Sequence, residues 1–256
     1  MKTVTNMLKS EFGKLHAKFK TVSTIHLKEL QDEINEWKQK KYQTVIPPIY
    51  VYSEIRAICK KILSRILQKN GYSVDRVILP LKLLAVKSGL GQYGKNNICY
   101  VDGMGSFTRL EAFYTDYEFP TNNWHEKKFM ESCKTCSLCK NACPTQCIPE
   151  DRFLIHADNC LTYFNENIED FPTWISPRSH NALVGCMRCQ IVCPQNKKFH
   201  QMNEHIVNFS EEEISIILQK TPKENISQEL AKKLADFNLD EYYSLLGRNL
   251  SVLMNK

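Results

Sequence analysis

Nine of the chain's 11 cysteines lie between Cys133 and Cys193. In a reducing compartment a concentration of that kind holds metal in preference to forming disulfides. Cys133, Cys136, Cys139 and Cys143 follow C-x2-C-x2-C-x3-C, with Pro144 directly after. A tight loop of this spacing lets three thiolates reach one 4Fe-4S cubane, while the fourth, one helical step on, points at a second. Cys186, Cys189 and Cys193 form a mirrored C-x2-C-x3-C run ahead of Pro194. That run is one ligand short, and Cys160 upstream supplies the missing thiolate. The crossed pattern gives Cys133, Cys136, Cys139 and Cys193 to cluster one, and Cys143, Cys160, Cys186 and Cys189 to cluster two. The chemistry of such a pair is the movement of single electrons.

The competing occupant is zinc, which prefers two separated C-x2-C pairs around one tetrahedral ion. Three cysteines in successive x2 steps, and a proline after each final cysteine, fit that poorly. Cys147, just beyond the first run, has no coordination site left and reads as a packed thiol. Cys59 falls on a helix's apolar face and Cys99 in a strand, and both read as core. His125, His156, His180, His200 and His205 are scattered through or beyond the cysteine segment. A Rieske-type centre would need two of them in place of cysteines, and no cysteine is missing, so they read as surface residues or neighbours of the clusters. His156 and Asp158, just before Cys160, are placed to hydrogen-bond near cluster two and tune its potential.

Gly89-Leu90-Gly91-Gln92-Tyr93-Gly94-Lys95-Asn96 satisfies G-x-G-x-x-G and nearly satisfies a P-loop. Both motifs need a strand before the glycines and a helix after. Here a helix precedes and a strand follows, and Asn96 stands where a P-loop needs a magnesium-binding Ser or Thr. The glycines instead serve positive φ angles or a close approach of backbone to a large flat ligand.

The elements that must position these residues are mixed, and the fold class expected is α+β. Helices are expected at Glu29–Lys40 and from Ser53, as N-cap, to about Asn70, with Gly71 as the stop. Pro47 and Pro48 separate them. A β-rich stretch from Tyr72 to Leu79 leads through Pro80 into a short helix ending near Gly89. Strands at Ile98–Val101 and Phe107–Thr115 flank Asp102-Gly103, a hairpin signal. After the cysteine segment, Ser210 and Glu213 make a capping box, and helices follow near Gln228–Phe237 and Glu241–Met254. The division expected is a small α/β domain over 1–125, a ferredoxin-like double-cluster module over 126–200 and a helical segment over 201–256. The 256-residue length suits this, and a net charge of +6 permits, without requiring, contact with nucleic acid or an acidic redox partner. No apolar run spans a bilayer and Met1–Lys20 lacks an apolar signal core, so the expected location is the cytoplasm, with no membrane partner.

Taken together, several of these stretches resemble epoxyqueuosine reductase, the cobalamin-dependent iron–sulfur enzyme of tRNA queuosine synthesis. They are Ala85-Val86-Lys87-Ser88-Gly89-Leu90-Gly91 with Gly94-Lys95, then Gly105-Ser106-Phe107 and Cys160-Leu161-Thr162-Tyr163. To these add Gly185-Cys186, Cys189-Gln190, Cys193-Pro194 and Asn196, with a fainter match at Arg248-Asn249. The resemblance implies that two clusters pass electrons to a cobalamin whose reduced cobalt attacks the epoxide carbon, and that an aspartate gives the proton as water leaves. Counted back without gaps from the glycine motif, Asp75 falls at that aspartate. Such a carboxyl must hold its proton near neutral pH, which needs burial or nearby negative charge. The same alignment places Cys99, Leu110, Leu161 and Thr162 near the corrin.

Against the family pattern the segment before Asp75 is shorter, the family's Glu-Arg pair after the acid becomes Leu81-Lys82, and the chain ends where helical repeats would follow. Three functions remain open. The first is a reductase with a corrinoid and a small or tRNA-borne substrate. The second is a ferredoxin-like carrier whose residues 1–130 dock a partner enzyme. The third is a reductive activator of a corrinoid protein. The expected electron donor is a flavodoxin or ferredoxin, for which Lys127-Lys128 and Lys197-Lys198 offer either a docking surface or plain solvated charge. Tyr93 and Trp174 stack on a ligand or pack.

Overall fold

The computed structural model describes residues 43–46, 55–76, 78–119, 124–202 and 205–255. The helix expected at Glu29–Lys40, the Pro47-Pro48 break and the Ser53 cap lie outside the described residues, as do the side chains of His200 and His205.

Strand β1 (Gln43–Ile46) is followed by helix α1 (Ile55–Leu67). A 3-10 turn at Gln68–Asn70 ends that helix at Gly71, whose φ of 81° lets its N–H reach the Gln68 carbonyl at 3.0 Å. This is the stop expected there. Strand β2 (Val74–Arg76) returns along α1, and Ile66, Leu67, Val74 and Tyr117 bury together, with Ile62, Leu63, Tyr72 and Phe113 against them. Helix α2 (Leu81–Lys87) begins at Pro80, whose missing N–H costs a helix start nothing.

The strands that follow do not pair as expected. Strand β3 (Gly91–Tyr93) lies inside the glycine motif, and β4 (Cys99–Val101) turns back to pair with it antiparallel, Gly91 opposite Val101 and Tyr93 opposite Cys99. Strand β5 (Phe113–Thr115) pairs instead with β2. The Asp102-Gly103 turn forms, but only as an isolated bridge between Val101 and Gly105, so the expected hairpin across it does not. The reason is local packing. A Cβ on Gly91 would lie 2.6 Å from Cys99 Sγ and 2.7 Å from the Tyr100 carbonyl oxygen. The glycine thus serves the close approach of a neighbouring strand.

Through the cysteine segment, short helices α3 (Leu138–Ala142), α4 (Leu161–Glu166) and α5 (Arg188–Ile191) alternate with turns. The last of these runs into a 3-10 stretch, Pro194–Met202. Strand β6 (His205–Asn208) then pairs antiparallel with β1, Gln43 opposite Asn208. Helices α6 (Glu211–Leu218), α7 (Gln228–Asp236) and α8 (Tyr243–Met254) close the described chain. The capping box is present in both halves: Glu213 N–H donates to Ser210 Oγ at 3.2 Å, and Ser210 N–H to Glu213 Oε2 at 2.7 Å. Leu230, Leu234, Leu239, Leu246 and Leu250 from this region bury against Leu183 and Val184 of the cysteine segment. The helices are therefore packed directly on the loop that precedes Cys186.

Candidate iron–sulfur site

The eight thiols of the two runs and Cys160 fall into two sets. The charges of Cys136 and Cys193 act on both Cys133 and Cys139, while those of Cys143 and Cys160 act on Cys186, and those of Cys186 and Cys160 on Cys189, with Cys139 a weaker neighbour of Cys189. Among the described residues no three Cys, His, Asp or Glu side chains converge as a lone metal ion requires. What the donor set does supply is two groups of four soft sulfur ligands, the complement of a pair of cubanes each held by four cysteines. The residues present fit two 4Fe-4S clusters.

Burial raises the Cys133, Cys139 and Cys186 thiols and pushes Cys189 up to about 12. Hydrogen bonds from Cys147 act the other way, lowering Cys143 to about 5 and Cys160 to about 6. Backbone and amide donors also face the sulfurs: Cys147 N–H reaches Cys143 Sγ at 3.4 Å, and Asn181 Nδ2 reaches Cys186 Sγ at 3.2 Å. Such donors favour thiolate over thiol and set cluster potential.

The glycine motif has its chemistry here. Lys95 N–H hydrogen-bonds the Cys133 thiol, and its ammonium donates to the Cys136 carbonyl at 2.6 Å. Buried Asn96 donates to the Tyr100 hydroxyl at 3.0 Å and also hydrogen-bonds Cys189, while Tyr100 hydrogen-bonds Cys193. Tyr93 N–H donates to the Lys128 carbonyl, and Met130 N–H to the Tyr93 carbonyl, which carries β3 into the first cysteine run. Tyr93 itself packs edge-on against Phe153. Trp174 is more than half exposed, with its ring edge on Phe164.

A second tie joins motifs far apart in the chain. Buried Asn196 accepts from Ser106 N–H at 2.8 Å and donates to Ser106 Oγ at 2.7 Å and to the Gln190 carbonyl at 2.8 Å. A third holds the last helix to α4. Asn249 donates to the carbonyls of Asn165 and Leu183, each at 2.9 Å, while Arg248 donates to the carbonyls of Phe164 and Glu169 and lies 4.0 Å over the Phe171 ring. Asn165 in turn bonds Gly185 and buried His180. Sequence reasoning missed this network. His180 was readable only as surface or a cluster neighbour, and the Arg248-Asn249 pair was its one visible signal.

The residues expected around a corrin fall in two places. Buried Cys99 and partly buried Leu110 share an apolar cluster with Ala85, Val86, Tyr93 and Phe153. Buried Leu161 and half-buried Thr162 open α4 directly after Cys160, and Thr162 hydrogen-bonds the Cys160 thiol. Lys82 bridges the two places: burial lowers its pKa, while the charges of Cys99 and Cys160 oppose that. Its ammonium donates to the Asn97 carbonyl at 2.9 Å.

Asp75 stands apart. It lies on β2 opposite Tyr114, its side chain 79% exposed and 3.0 Å from the Lys60 ammonium. The Arg76 N–H at 2.7 Å and then Lys60 hold its carboxyl below the usual carboxylate range. A proton donor near neutral pH needs the opposite environment, so in this conformation Asp75 is ionised. His156, exposed, donates its backbone N–H to the Cys147 carbonyl and its ring meets Arg152. Lys127 lies over Phe153 at 5.9 Å.

Comparison with known proteins places this geometry in a class. Residues 132–196 match the description of a 4Fe-4S double cluster binding domain, which sets the zinc alternative aside. The likeness extends beyond that module. An epoxyqueuosine reductase from Synechocystis sp. is 33% identical over 135 residues, covering 52% of this chain and 45% of that protein. One from Cyclobacterium marinum is 35% identical over 125 residues, 48% and 39% respectively. The chain spans less than half the length of these curated relatives. The fold is that of the Streptococcus thermophilus enzyme, with a TM-score of 0.63 at 19% identity over 84% of this chain and 59% of that one. It is also that of the Bacillus subtilis enzyme in a structure whose catalytic aspartate loop is swung out of the active site, with a TM-score of 0.58 at 19% identity over 78% and 54%. An epoxyqueuosine reductase solved with an epoxyqueuosine-modified tRNA-Tyr stem loop gives 0.59 at 20% identity over 78% and 54%. Among the described residues no helix is long and apolar enough to cross a membrane.

Proposed function

We propose that this chain is an oxidoreductase of the epoxyqueuosine reductase type, with Cys133, Cys136, Cys139 and Cys193 holding one 4Fe-4S cluster and Cys143, Cys160, Cys186 and Cys189 the other. The clusters supply single electrons. The observation that carries the reading is the bonding of the Lys95-Asn96 and Ser106 motifs into the cluster module. A free electron carrier has no need of a separate glycine motif wired to its ligand loops. The division into residues 1–125, 126–200 and 201–256 belongs to the same proposal.

Cys99, Leu110, Leu161 and Thr162 are the residues proposed to hold a cobalamin, supported by the charge of Lys82 that both Cys99 and Cys160 feel. When bound, that group would supply a reduced metal able to attack an electrophilic carbon. Asp75 is the proposed proton donor, and the role requires its Lys60 pair to break and the carboxyl to enter drier surroundings. The swung-out aspartate loop of the Bacillus subtilis relative supports such a movement. The proposed substrate is epoxyqueuosine in tRNA, as carried by the stem loop bound to the solved relative. The proposed electron donor is a flavodoxin or ferredoxin, and the proposed location the cytoplasm.

The exposure and ionisation of Asp75 favour a second reading, in which the chain is a ferredoxin-like carrier or a reductive activator of a corrinoid protein. Titration of the anaerobically reconstituted protein with cob(II)alamin under EPR separates the two. Conversion of the cobalt signal to a five-coordinate, base-off form supports the reductase. An unchanged signal beside normally reducible clusters supports the carrier.

A further inference from the structure

We infer that Cys147 is a reserve ligand of the second cluster, a fifth thiol able to take an iron in place of Cys143 or Cys160. This rests on the assignment of Cys143, Cys160, Cys186 and Cys189 to one cluster.

Cys147 is surplus by count, and its position is built by a specific turn. The Cys143 carbonyl accepts from Gln146 N–H at 3.2 Å, and Gln146 takes a left-handed φ of 51°. A non-glycine residue rarely adopts that conformation, and here it folds the chain back on itself. Cys147 Sγ ends 3.5 Å from Cys143 Sγ and hydrogen-bonds Cys160 as well. The backbone is pinned on both sides, with His156 N–H on the Cys147 carbonyl at 2.8 Å and Cys147 N–H on Cys143 Sγ at 3.4 Å. Cys147 is only 3% exposed, in a cluster with Cys139, Ile148, Ile155 and the ligand cysteines.

A cysteine kept only as a small hydrophobe would bury its sulfur among Ile148 and Ile155. This sulfur instead meets two ligand sulfurs. An iron of a cubane accepts one protein thiolate, so Cys143 and Cys147, at 3.5 Å, compete for the same site. Exchange needs no oxidant. The Fe–S bond to Cys143 breaks as the bond to Cys147 forms, and the Cys147 thiol proton passes to the departing Cys143 thiolate. Charge and electron count are unchanged. Cys186 and Cys189 are not among the thiols that Cys147 hydrogen-bonds.

The test is iron and sulfide content, with EPR of the reduced clusters, after anaerobic reconstitution of the full chain and its variants. Wild type and Cys147→Ala should each hold about eight irons, as two cubanes require. Cys143→Ala should also hold about eight, with an altered EPR signal, while Cys143→Ala/Cys147→Ala falls to about four. Cys186→Ala should fall to about four with Cys147 intact. Cys160→Ala gives a second route if Cys143→Ala does not fold, and retention of both clusters in either supports the inference. Loss of a cluster in both single variants overturns it. So does loss in Cys147→Ala, which would make Cys147 a primary ligand. A wild type holding far fewer than about eight irons overturns the cluster assignment itself, and the inference with it.

Discussion

Asn196 holds Ser106 by both of its polar groups, accepting from the serine N–H at 2.8 Å and donating to its hydroxyl at 2.7 Å. Three residues after Cys193, it locks the second cysteine run to the Gly105-Ser106-Phe107 motif. Asn196→Ala should cost about 1–3 kcal/mol, because it strands the buried Ser106 N–H rather than merely deleting a bond, while the Gln190 carbonyl keeps the Cys193 N–H at 3.2 Å. Ser106→Ala, which leaves the N–H bond in place, should cost about 1 kcal/mol. Urea midpoints at constant slope measure both, and an Asn196→Ala midpoint equal to wild type would remove the tie from the stability of the fold.

Gly91→Ala should destabilise the protein by about 1–3 kcal/mol, the usual range for overpacking. The added methyl meets Cys99 Sγ at 2.6 Å and the Tyr100 carbonyl at 2.7 Å. Shrinking the sulfur partner with Cys99→Ala should recover only part of that loss, since the carbonyl belongs to the paired strand and cannot step aside. Thermal unfolding of the single and double variants decides it. Full recovery would mean that only the sulfur was in the way.

What the sequence made legible here was what is local. The Gly71 stop, the Ser210–Glu213 box and the two cysteine runs each depend on residues a few positions apart, and each appears where expected. The pairing of β4 depended on something else. Asp102-Gly103 is a sound turn signal, but it cannot say which partner the strand will choose, and the bare backbone at Gly91 offered a closer one. The Asn165–His180–Asn249 network was illegible for the same reason. Its members carry no local pattern, and they meet only because α8 lies on α4. At the site, the two cysteine runs announced a double-cluster module through their spacing, whereas the turn that brings Cys147 onto Cys143 depends on one residue, Gln146, in a conformation its type does not announce.

The Asp75 carboxyl should titrate below the ordinary aspartate value in the free protein, and Lys60→Met should raise it without restoring the full value, because the Arg76 N–H remains. A carboxylate whose folded pKa lies below its unfolded one adds stability that is complete above the unfolded value and fades as pH falls through the folded one. The group is largely exposed, so solvent screens the pair and the contribution to stability is small. Carbon-detected NMR of the side chain against pH gives the value directly. Titration at or above the ordinary range would show that the Lys60 pair is not the solution state.

Asn249→Leu should weaken the fold by about 1–3 kcal/mol through two stranded carbonyls, and should also disturb cluster two. Its hydrogen bond to Asn165 fixes the far part of α4, the helix that starts at the residue after Cys160. The EPR signal of the reduced second cluster should shift while that of the first stays put. Equal shifts in both, or none, would uncouple α8 from the site.

Removing iron from the folded protein with a chelator should lower its Tm, since coordination energy gained only in the folded state adds to folding. Buried thiols such as Cys189, pushed up to about 12, gain from that metal the deprotonation they resist alone. Calorimetry of apo and reconstituted samples under anaerobic conditions compares the two. Identical transitions would mean that the cysteine loops are rigid without metal.

The antiparallel pairing of β1 with β6 has a bearing on how the protein is made. On the ribosome, residues 43–46 emerge early and stay without their strand partner until residues 205–208 have been synthesised. Every cysteine of both runs is translated in that interval. Closure of that two-stranded sheet therefore cannot precede synthesis of the ligand loops, and a chain halted before residue 205 would carry both cysteine runs with β1 unpaired.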